Sequence, residues 1–458
     1  MTGDDRFKVL IVGGGVAGVE ALLALRDLLG SRTRIELLSG GREFVYRPLA
    51  LAEPFGLGGA RRVQLDKLAA EHVASFRQDL LSAVNPGRRT ALTESGLELE
   101  YDALLLAVGV RPVPELPGAL TYSGPEANEA YRDLLSAVED GEVKRLVFAA
   151  PATVRWALPL YELALLTAHH SSERGLGNVE LTVVTSEVEP LEMFGPRASE
   201  SVARLLADAG IHFHGSTAPT AVERRGLVVA SGQRLPADRV VALPRLEVPP
   251  IPGVPQGPRG FIGTDPYMQV DGLTRVYAAG DATWFPVKQG GLAAQQADVA
   301  AASIASCVDA SIGKVPFRPV LRGALLTGTA PRYLRSMIGD RTGSSASGVV
   351  PLWWPPSKIA ARHLAPYLAR GDDPDPPPML DDLPPLHGED PAETADEHQE
   401  AVELALAAAD ADAHWHDYRT ALRWLNIAEQ LNLTLPPSHA VKREKWSAAL
   451  KGSELSGD

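Results

Sequence analysis

The chain has 458 residues, of which 45% are hydrophobic and 22% are charged, as in ordinary soluble globular proteins. This length allows two or three domains, and the composition excludes a fibrous or an intrinsically disordered chain. The net charge of −13 is mostly local, because eleven acids and no Lys or Arg lie between Asp372 and Glu400. The rest of the sequence has no run of clustered Lys and Arg residues, so we expect no nucleic-acid partner.

The single cysteine, Cys307, excludes an internal disulfide and a dithiol redox pair within one chain. No uninterrupted apolar stretch reaches the roughly 18 residues of a membrane span. A first strand predicted from about Phe7 leaves no room for a signal peptide. We therefore expect a cytoplasmic protein, and peripheral contact with a membrane stays open.

A glycine-rich turn follows the first predicted strand, Phe7–Val12, and precedes a helix predicted from Val19 to Leu29. It carries the G-x-G-x-x-G pattern of dinucleotide-binding folds. The first glycine permits the tight turn, the second lets a pyrophosphate approach the backbone, and the third lets helix and strand pack closely. The helix N-terminus then faces the phosphates. The predicted contacts are Gly13, Gly14, Gly15, Val16, Ala17 and Gly18.

The next predicted strand, Ile35–Ser39, ends in Ser39, where an Asp or Glu usually binds the adenosine ribose. Serine can still make one hydrogen bond, so we expect weaker but not absent retention of the dinucleotide. Arg42 or Arg47 would compensate through phosphate contacts. Leu81, in a hairpin-rich crossover, is expected to approach the adenine.

Two later segments extend this pattern. A buried strand from Tyr101 ends in a turn that contains Ala107 and Gly109. Far along the chain, a second short apolar strand ends in Gly280 and Asp281. A carboxylate there can accept hydrogen bonds from the ribityl hydroxyls of a flavin.

In this order the three segments resemble those of the pyridine nucleotide-disulfide oxidoreductase superfamily. Residues 44–49, 184–187 and 286–293 further resemble the branch of sulfide:quinone oxidoreductases and type II NADH:quinone dehydrogenases, over roughly residues 7–335. The resemblance implies an FAD-dependent oxidoreductase with small-molecule donor and acceptor, the acceptor being a quinone. It implies an α/β fold with two Rossmann-like dinucleotide-binding domains, of which the FAD domain is discontinuous. It also places Arg47 and Pro48 beside the flavin.

Two candidate catalytic residues follow from the resemblance. Lys288 and the N-terminus of a helix starting near Gly291 and Leu292 would place positive charge beside the flavin N1 and C2 carbonyl. Reduction builds negative charge there, so we expect the flavin's reduction potential to rise. A solvated loop lysine is the alternative interpretation of Lys288. Glu162 stands where this branch often carries a glutamate beside the flavin.

The middle of the chain departs from the family. The turn after the predicted strand Arg145–Ala149 lacks the glycines of a nicotinamide dinucleotide site, and the next strand ends in Thr185 without a ribose-binding acid. We therefore do not expect NAD(P)H binding of the usual kind. Trp156 stands about where the sulfide-oxidising enzymes carry a redox cysteine, and Cys307 lies far from that turn in sequence. A cysteine relay is not expected either.

Six segments are predicted. They are an FAD-binding domain in two parts (1–113 and 248–314), a second nucleotide-type domain (114–247), a C-terminal subdomain (315–371), an acidic proline-rich linker (372–393) and a helical tail (394–458). In the subdomain, residues 358–368 are predicted as a short helix, either packed on the core or anchored at a membrane interface. The tail resembles part of a tetratricopeptide-type hairpin. It is expected to pack on its own body, on a second subunit or on a protein partner.

The leading hypothesis is an FAD-dependent oxidoreductase without a cysteine relay whose acceptor is a quinone. One alternative is an NAD(P)H-dependent reductase with an atypical nicotinamide site. The other is a flavin-bearing assembly protein that acts through its tail. No metal site is expected, because the paired histidines His212 and His214 have no cysteine or acid cluster at ligand spacing.

Overall fold

The computed structural model describes residues 6–337 except 225, then 345–349, 351–353, 355–369, 406, 409–410, 413, 418, 421–422, 425 and 435–455. The predicted acidic linker and most of residues 394–434 of the predicted tail lie outside these residues. The predicted domain boundaries stay predictions.

Eight helices and 23 strands lie within the described residues. The helices are α1 Val16–Leu29, α2 Leu65–Glu71, α3 Asn128–Glu139, α4 Leu158–Glu173, α5 Pro196–Asp208, α6 Gly290–Ala305, α7 Leu364–Ala369 and α8 Pro437–Leu455. The strands are β1 Phe7–Val12, β2 Thr33–Ser39, β3 Glu43–Tyr46, β4 Arg61–Gln64, β5 Ser75–Gln78, β6 Leu81–Asn85, β7 Thr90–Thr93, β8 Glu98–Glu100, β9 Ala103–Leu106, β10 Arg111–Val113, β11 Leu120–Thr121, β12 Arg145–Ala149, β13 Glu180–Val184, β14 Ile211–His214, β15 Pro219–Glu223, β16 Gly226–Val229, β17 Arg234–Pro236, β18 Arg239–Ala242, β19 Arg245–Glu247, β20 Val276–Ala278, β21 Val320–Leu325, β22 Arg332–Met337 and β23 Ala346–Gly348.

The first parallel sheet has the strand order β20-β9-β1-β2-β5. Its central strand β1 is buried from Val9 to Val12 and is flanked by β2 and β9 in parallel register. Because the edge strand β20 comes from a segment more than 150 residues later, the sheet is built from two separate stretches of chain. Helices α1 and α6 pack against each other on this sheet through alanine and leucine side chains.

The second parallel sheet has the order β11-β18-β12-β13-β14. The helix α4 that follows β12 is buried over most of its length, which matches its nearly continuous apolar sequence. These two parallel sheets with crossover helices confirm the predicted α/β class with two Rossmann-like cores.

A smaller antiparallel sheet, β21-β22-β23, follows α6. The predicted helix at 358–368 is wrong at its start, because only α7 is helical and Lys358 lies in an irregular segment before it. The backbone N–H of Ile359 donates to the Tyr46 hydroxyl at 2.8 Å, which holds the segment in a non-helical path. Trp353, Lys358 and Ile359 are buried, so the segment packs on the core. No described helix is long and apolar enough to cross a membrane.

The tail contributes to a core. Leu435 and Trp446, at the start and within α8, are buried in the apolar cluster that also holds Leu146 and Leu160 of the second sheet and its helix. This is in line with the expected packing of the tail on its own body.

Three polar side chains join α1, α6 and the start of α7. The Glu20 carboxylate accepts the backbone N–H groups of His363 (2.8 Å) and Leu364 (2.6 Å), so it caps α7. Asp298 on α6 contacts this carboxylate, and its buried Oδ1 atom lies 3.8 Å from His363 Nε2. Burial, then the charge of Glu20, raise the pKa of Asp298 well above its ordinary value. The pair is therefore stable when one carboxyl keeps a proton.

This pair predicts a pH effect on stability. A raised folded-state pKa stabilises the fold below the ordinary carboxyl pKa, and that contribution is lost as the pH rises through the folded value. The variant Asp298→Asn keeps the shape and can donate a hydrogen bond to Glu20 at every pH. We expect it to melt about 2–5 °C above the parent at pH 8 and closer to the parent at pH 5. Calorimetry at both pH values tests this, with the exposed Asp133→Asn as control. Parallel pH profiles for the parent and Asp298→Asn would contradict it.

Candidate flavin and electron-transfer site

The turn between β1 and α1 accepts only glycine at two positions. Gly13 has φ +117°, and a Cβ there would lie 2.1 Å from the carbonyl oxygen of Ala107. A Cβ on Gly18 would lie 1.8 Å from the carbonyl oxygen of Gly13. Both contacts are with backbone atoms, which cannot move aside. The turn is therefore drawn tightly against the ends of β1 and β9, as the sequence pattern predicts.

Gly15 differs from these two glycines. It has φ −85°, is exposed, and a Cβ there would meet no atom within 4 Å. It stands at the N-terminus of α1, ahead of Val16 and Ala17, and no side chain caps that end. Unpaired backbone N–H groups beside open space fit the pyrophosphate of a dinucleotide.

The predicted adenosine contacts lie around the end of β2. Ser39 Oγ lies 2.8 Å from where a Cβ on Gly14 would stand, so the serine borders the glycine turn. The Arg42 guanidinium is exposed and donates to Gln78 Oε1 at 2.6 Å. Leu81 begins β6 and is half-buried. These positions are compatible with the predicted contacts, which stay predictions.

The second motif is held by α6. Gly280 has φ +83°, and its N–H donates to Gln296 Oε1 at 2.8 Å. A Cβ on Gly280 would lie 3.0 Å from Ala17 Cβ, which brings the loop carrying Asp281 beside the first turn of α1. Burial raises the pKa of Asp281. The two glycine motifs are thus adjacent in space, as one cofactor requires.

The first turn of α6 and the turn after β9 complete this end of the site. The Gln289 side chain caps α6 by accepting the Leu292 N–H at 2.8 Å, while Gly291 is buried beside it. Ala107 is buried under the Gly13 turn. Gly109 has φ +67° and has open space around its Cβ position.

A cavity of about 570 Å³ opens beside Asp281. One wall carries Arg47, Pro48, Asp281 and Lys288 from the predicted FAD domain. Other lining residues come from the predicted middle domain and from the irregular segment before α7. They include Val154, Arg155, Trp156, Leu158, Pro159, Glu162, Lys358 and Ile359.

Lys288 is held in place at the cavity wall. Its Nζ donates to the carbonyl oxygens of Thr283 and Phe285, both at 2.6 Å, and lies 4.0 Å from the centre of the Phe261 ring. Burial lowers the pKa of Lys288 to about 8, against the opposing effect of the Asp281 charge. Lys288 is therefore half-buried and held by hydrogen bonds to two backbone carbonyls. Its predicted role beside the flavin stays a prediction.

Glu162 forms a buried ion pair that the sequence did not predict. Its Oε1 accepts the Leu326 N–H at 2.8 Å and also contacts Lys358 Nζ, which donates to the Ala324 carbonyl at 2.9 Å. Burial raises the pKa of Glu162 and lowers the pKa of Lys358. Glu162 Oε2 is buried and has no hydrogen-bond partner among the described residues. The cavity wall therefore holds a buried pair of titratable groups and one carboxylate oxygen without a hydrogen-bond partner among the described residues.

The sequence around Glu162 and the sequence around Lys358 contain no pattern that identifies the two residues as partners. They are 196 residues apart, one on α4 and one in the segment before α7. The sequence predicts Lys358 only as the first residue of a short helix at 358–368.

The turn after β12 closes one side of the cavity with side chains. Trp156 packs on Phe194 with ring centres 5.9 Å apart, and Val154 N–H donates to the Pro151 carbonyl. No glycine gives a pyrophosphate access to this backbone. Cys307 is half-buried near the end of α6, where its sulfur lies 3.6 Å from the Tyr277 hydroxyl.

Proteins of known family resemble this chain. The family described as pyridine nucleotide-disulphide oxidoreductase matches residues 7–303. The chain belongs to this family. It is an oxidoreductase, and its cofactor is FAD, which the glycine motifs fit.

Relatives of this pyridine nucleotide-disulphide oxidoreductase include putidaredoxin reductase of Pseudomonas putida, 27% identical over 61% of this chain and 67% of that protein. Sulfide-quinone reductase of Aquifex aeolicus is 28% identical over 44% of this chain and 47% of its own length. The solved sulfide:quinone oxidoreductase of the same species is similar in fold, with TM-score 0.68 and 20% identity over 75% of this chain and 87% of that chain. The predicted superfamily is thus confirmed, and sulfide-quinone reductase is among the relatives of the chain.

Proposed function

We propose that this oxidoreductase passes electrons from its bound FAD to a quinone-type acceptor in the cavity beside Glu162 and Lys358, without a cysteine relay. One observation carries the proposal. The buried Glu162–Lys358 pair lines the same cavity as Asp281 and Lys288 of the flavin motif. A redox group and a proton source would thus face one space.

The pair suits the proton chemistry of a quinone. Reduction of a quinone to a hydroquinone consumes two electrons and two protons, and negative charge builds on its oxygens before they are protonated. Burial raises the pKa of Glu162 and lowers the pKa of Lys358, which favours transfer of a proton from the pair to an acceptor oxygen in the cavity. Solvent protons then restore the pair.

The donor is proposed to be something other than a nicotinamide nucleotide bound in the usual way. The turn after β12 offers Pro151, Val154 and Trp156 where glycines would admit a pyrophosphate. Sulfide oxidation through a persulfide would need a thiolate near Trp156, and the single cysteine lies at the far end of α6.

Anaerobic stopped-flow mixing tests the donor. We expect NADH and NADPH to leave the flavin absorbance at about 450 nm unchanged over minutes, whereas photoreduction bleaches it. Bleaching by either nucleotide within seconds would favour the rival function, an NAD(P)H-dependent reductase with an atypical nicotinamide site.

A further inference from the structure

We propose that the mouth of the cavity contains an anion subsite, formed by Arg155 and Arg259, that binds the acid group of a planar organic acceptor. This rests on the proposed function and names its substrate class: an aromatic or quinonoid molecule bearing a carboxylate, phosphate or sulfonate. A neutral, lipid-like quinone would have no use for the subsite.

Both arginines are exposed cavity-lining residues from different parts of the chain. Arg155 belongs to the turn before α4, and Arg259 to the segment between β19 and β20. The Arg259 guanidinium stacks on the Phe261 ring, 5.3 Å from its centre. Among the residues that the structure describes, no carboxylate forms an ion pair with either arginine.

The other charges around the cavity are compensated. Lys358 pairs with Glu162, the charge of Lys288 is opposed by Asp281, and Arg47 lies 3.8 Å from Glu126. The two arginines at the mouth therefore leave positive charge there, although the whole chain carries −13. The N-terminus of α4, uncapped by any side chain, adds to this potential because Leu158 and Pro159 also line the cavity.

Arg259 has φ +58° and ψ +18°, a left-handed conformation that a side chain other than that of Asn, Asp or Gly adopts at a cost. The Val248 N–H fixes it by donating to the Arg259 carbonyl at 2.9 Å. Asparagine fits this backbone better than arginine does, so Arg259→Asn removes the charge without straining the loop.

Aromatic side chains beside the arginines suit a planar molecule. Trp284 is 52% exposed at the cavity and packs edge-on against Phe261, with ring centres 6.3 Å apart. Trp156 lines the cavity from the α4 side. Rings at the mouth can stack on an aromatic body, while the guanidinium groups take the acid group bidentately.

Two quinones of similar ring chemistry test the proposal on the FAD-loaded protein: anthraquinone-2-sulfonate, which is anionic, and menadione, which is neutral. Photoreduced protein is mixed with each quinone, and the dependence of the flavin reoxidation rate on quinone concentration gives an apparent Kd and a limiting rate. We expect Arg155→Gln and Arg259→Asn each to raise the apparent Kd for the sulfonate about tenfold, with the limiting rate and both menadione values unchanged. Arg132→Gln, an exposed charge removal on α3, is the control and should change neither.

Two further readouts separate binding from folding. Calorimetric titration of the oxidised protein with anthraquinone-2-sulfonate should show the same loss of affinity in both variants. Arg259→Asn should melt at or above the parental temperature, because asparagine fits the left-handed backbone. The subsite is refuted if the parent does not bind the sulfonate, or if the variants change both quinones equally or neither. If neither quinone reoxidises the parent protein, the proposed function fails instead.

Discussion

Replacement of Lys358 by Met is expected to lower the free energy of unfolding by about 3–5 kcal/mol, because it leaves the Glu162 carboxyl buried without its cation. Glu162 is 1% exposed, and within the described part of the chain only the Leu326 N–H would still donate to it. Urea unfolding of the FAD-loaded protein measures the change, with the exposed Lys67→Met as control.

The double variant Glu162→Gln with Lys358→Met is expected to recover most of this loss, since no isolated charge stays buried. Equal losses in the single and double variants would show that packing, and not the charge pair, stabilises this wall. A single variant as stable as the parent would show that the pair is open to water.

The same pair carries the proposed chemistry. Glu162→Gln removes the titratable carboxyl, so we expect quinone reduction to slow by about 10²-fold to 10⁴-fold while the flavin spectrum stays the same. The rate of quinone reduction should depend less strongly on pH in the variant than in the parent. An unchanged rate and an unchanged pH profile would show that Glu162 takes no part in proton transfer. They would not bear on its contribution to stability.

The second large effect is expected at Gly15. In Gly15→Val the new side chain enters the open space ahead of α1, which the pyrophosphate needs, so FAD affinity should fall at least about 100-fold. The apoprotein should still fold, because a Cβ at this position meets no atom within 4 Å.

Gly177→Val is the matched control, since a Cβ on Gly177 also meets no atom within 4 Å and that glycine lies far from the cofactor motifs. FAD titration by fluorescence and melting of the apoprotein give the two readouts. FAD affinity in Gly15→Val equal to that of the control would mean that the pyrophosphate does not lie on this turn.

Much of the fold follows from local sequence. The strands β1 and β12 have the predicted bounds, and α1 and α6 begin within three residues of prediction, because each has a clear apolar pattern bounded by turn residues. The glycine motifs also allowed FAD to be predicted, because the close backbone contacts at Gly13 and Gly18 are possible only where a residue has no side chain.

The cavity wall that carries Glu162 and Lys358 could not be predicted from local sequence. Lys358 looks like the start of an amphipathic helix, but the Tyr46 hydroxyl and the Glu162 carboxylate, both distant in sequence, decide its conformation and its burial. Arg259 likewise looks like a loop residue until its left-handed backbone and cavity position are known. Partners more than 150 residues away leave no pattern in a single sequence.

Reoxidation of the photoreduced, FAD-loaded protein by menadione in the absence of oxygen tests the central claim most directly. We predict that the flavin absorbance returns within seconds and that the rate rises with menadione concentration, with no thiol present. Reoxidation no faster than in quinone-free buffer would contradict transfer from this flavin to a quinone.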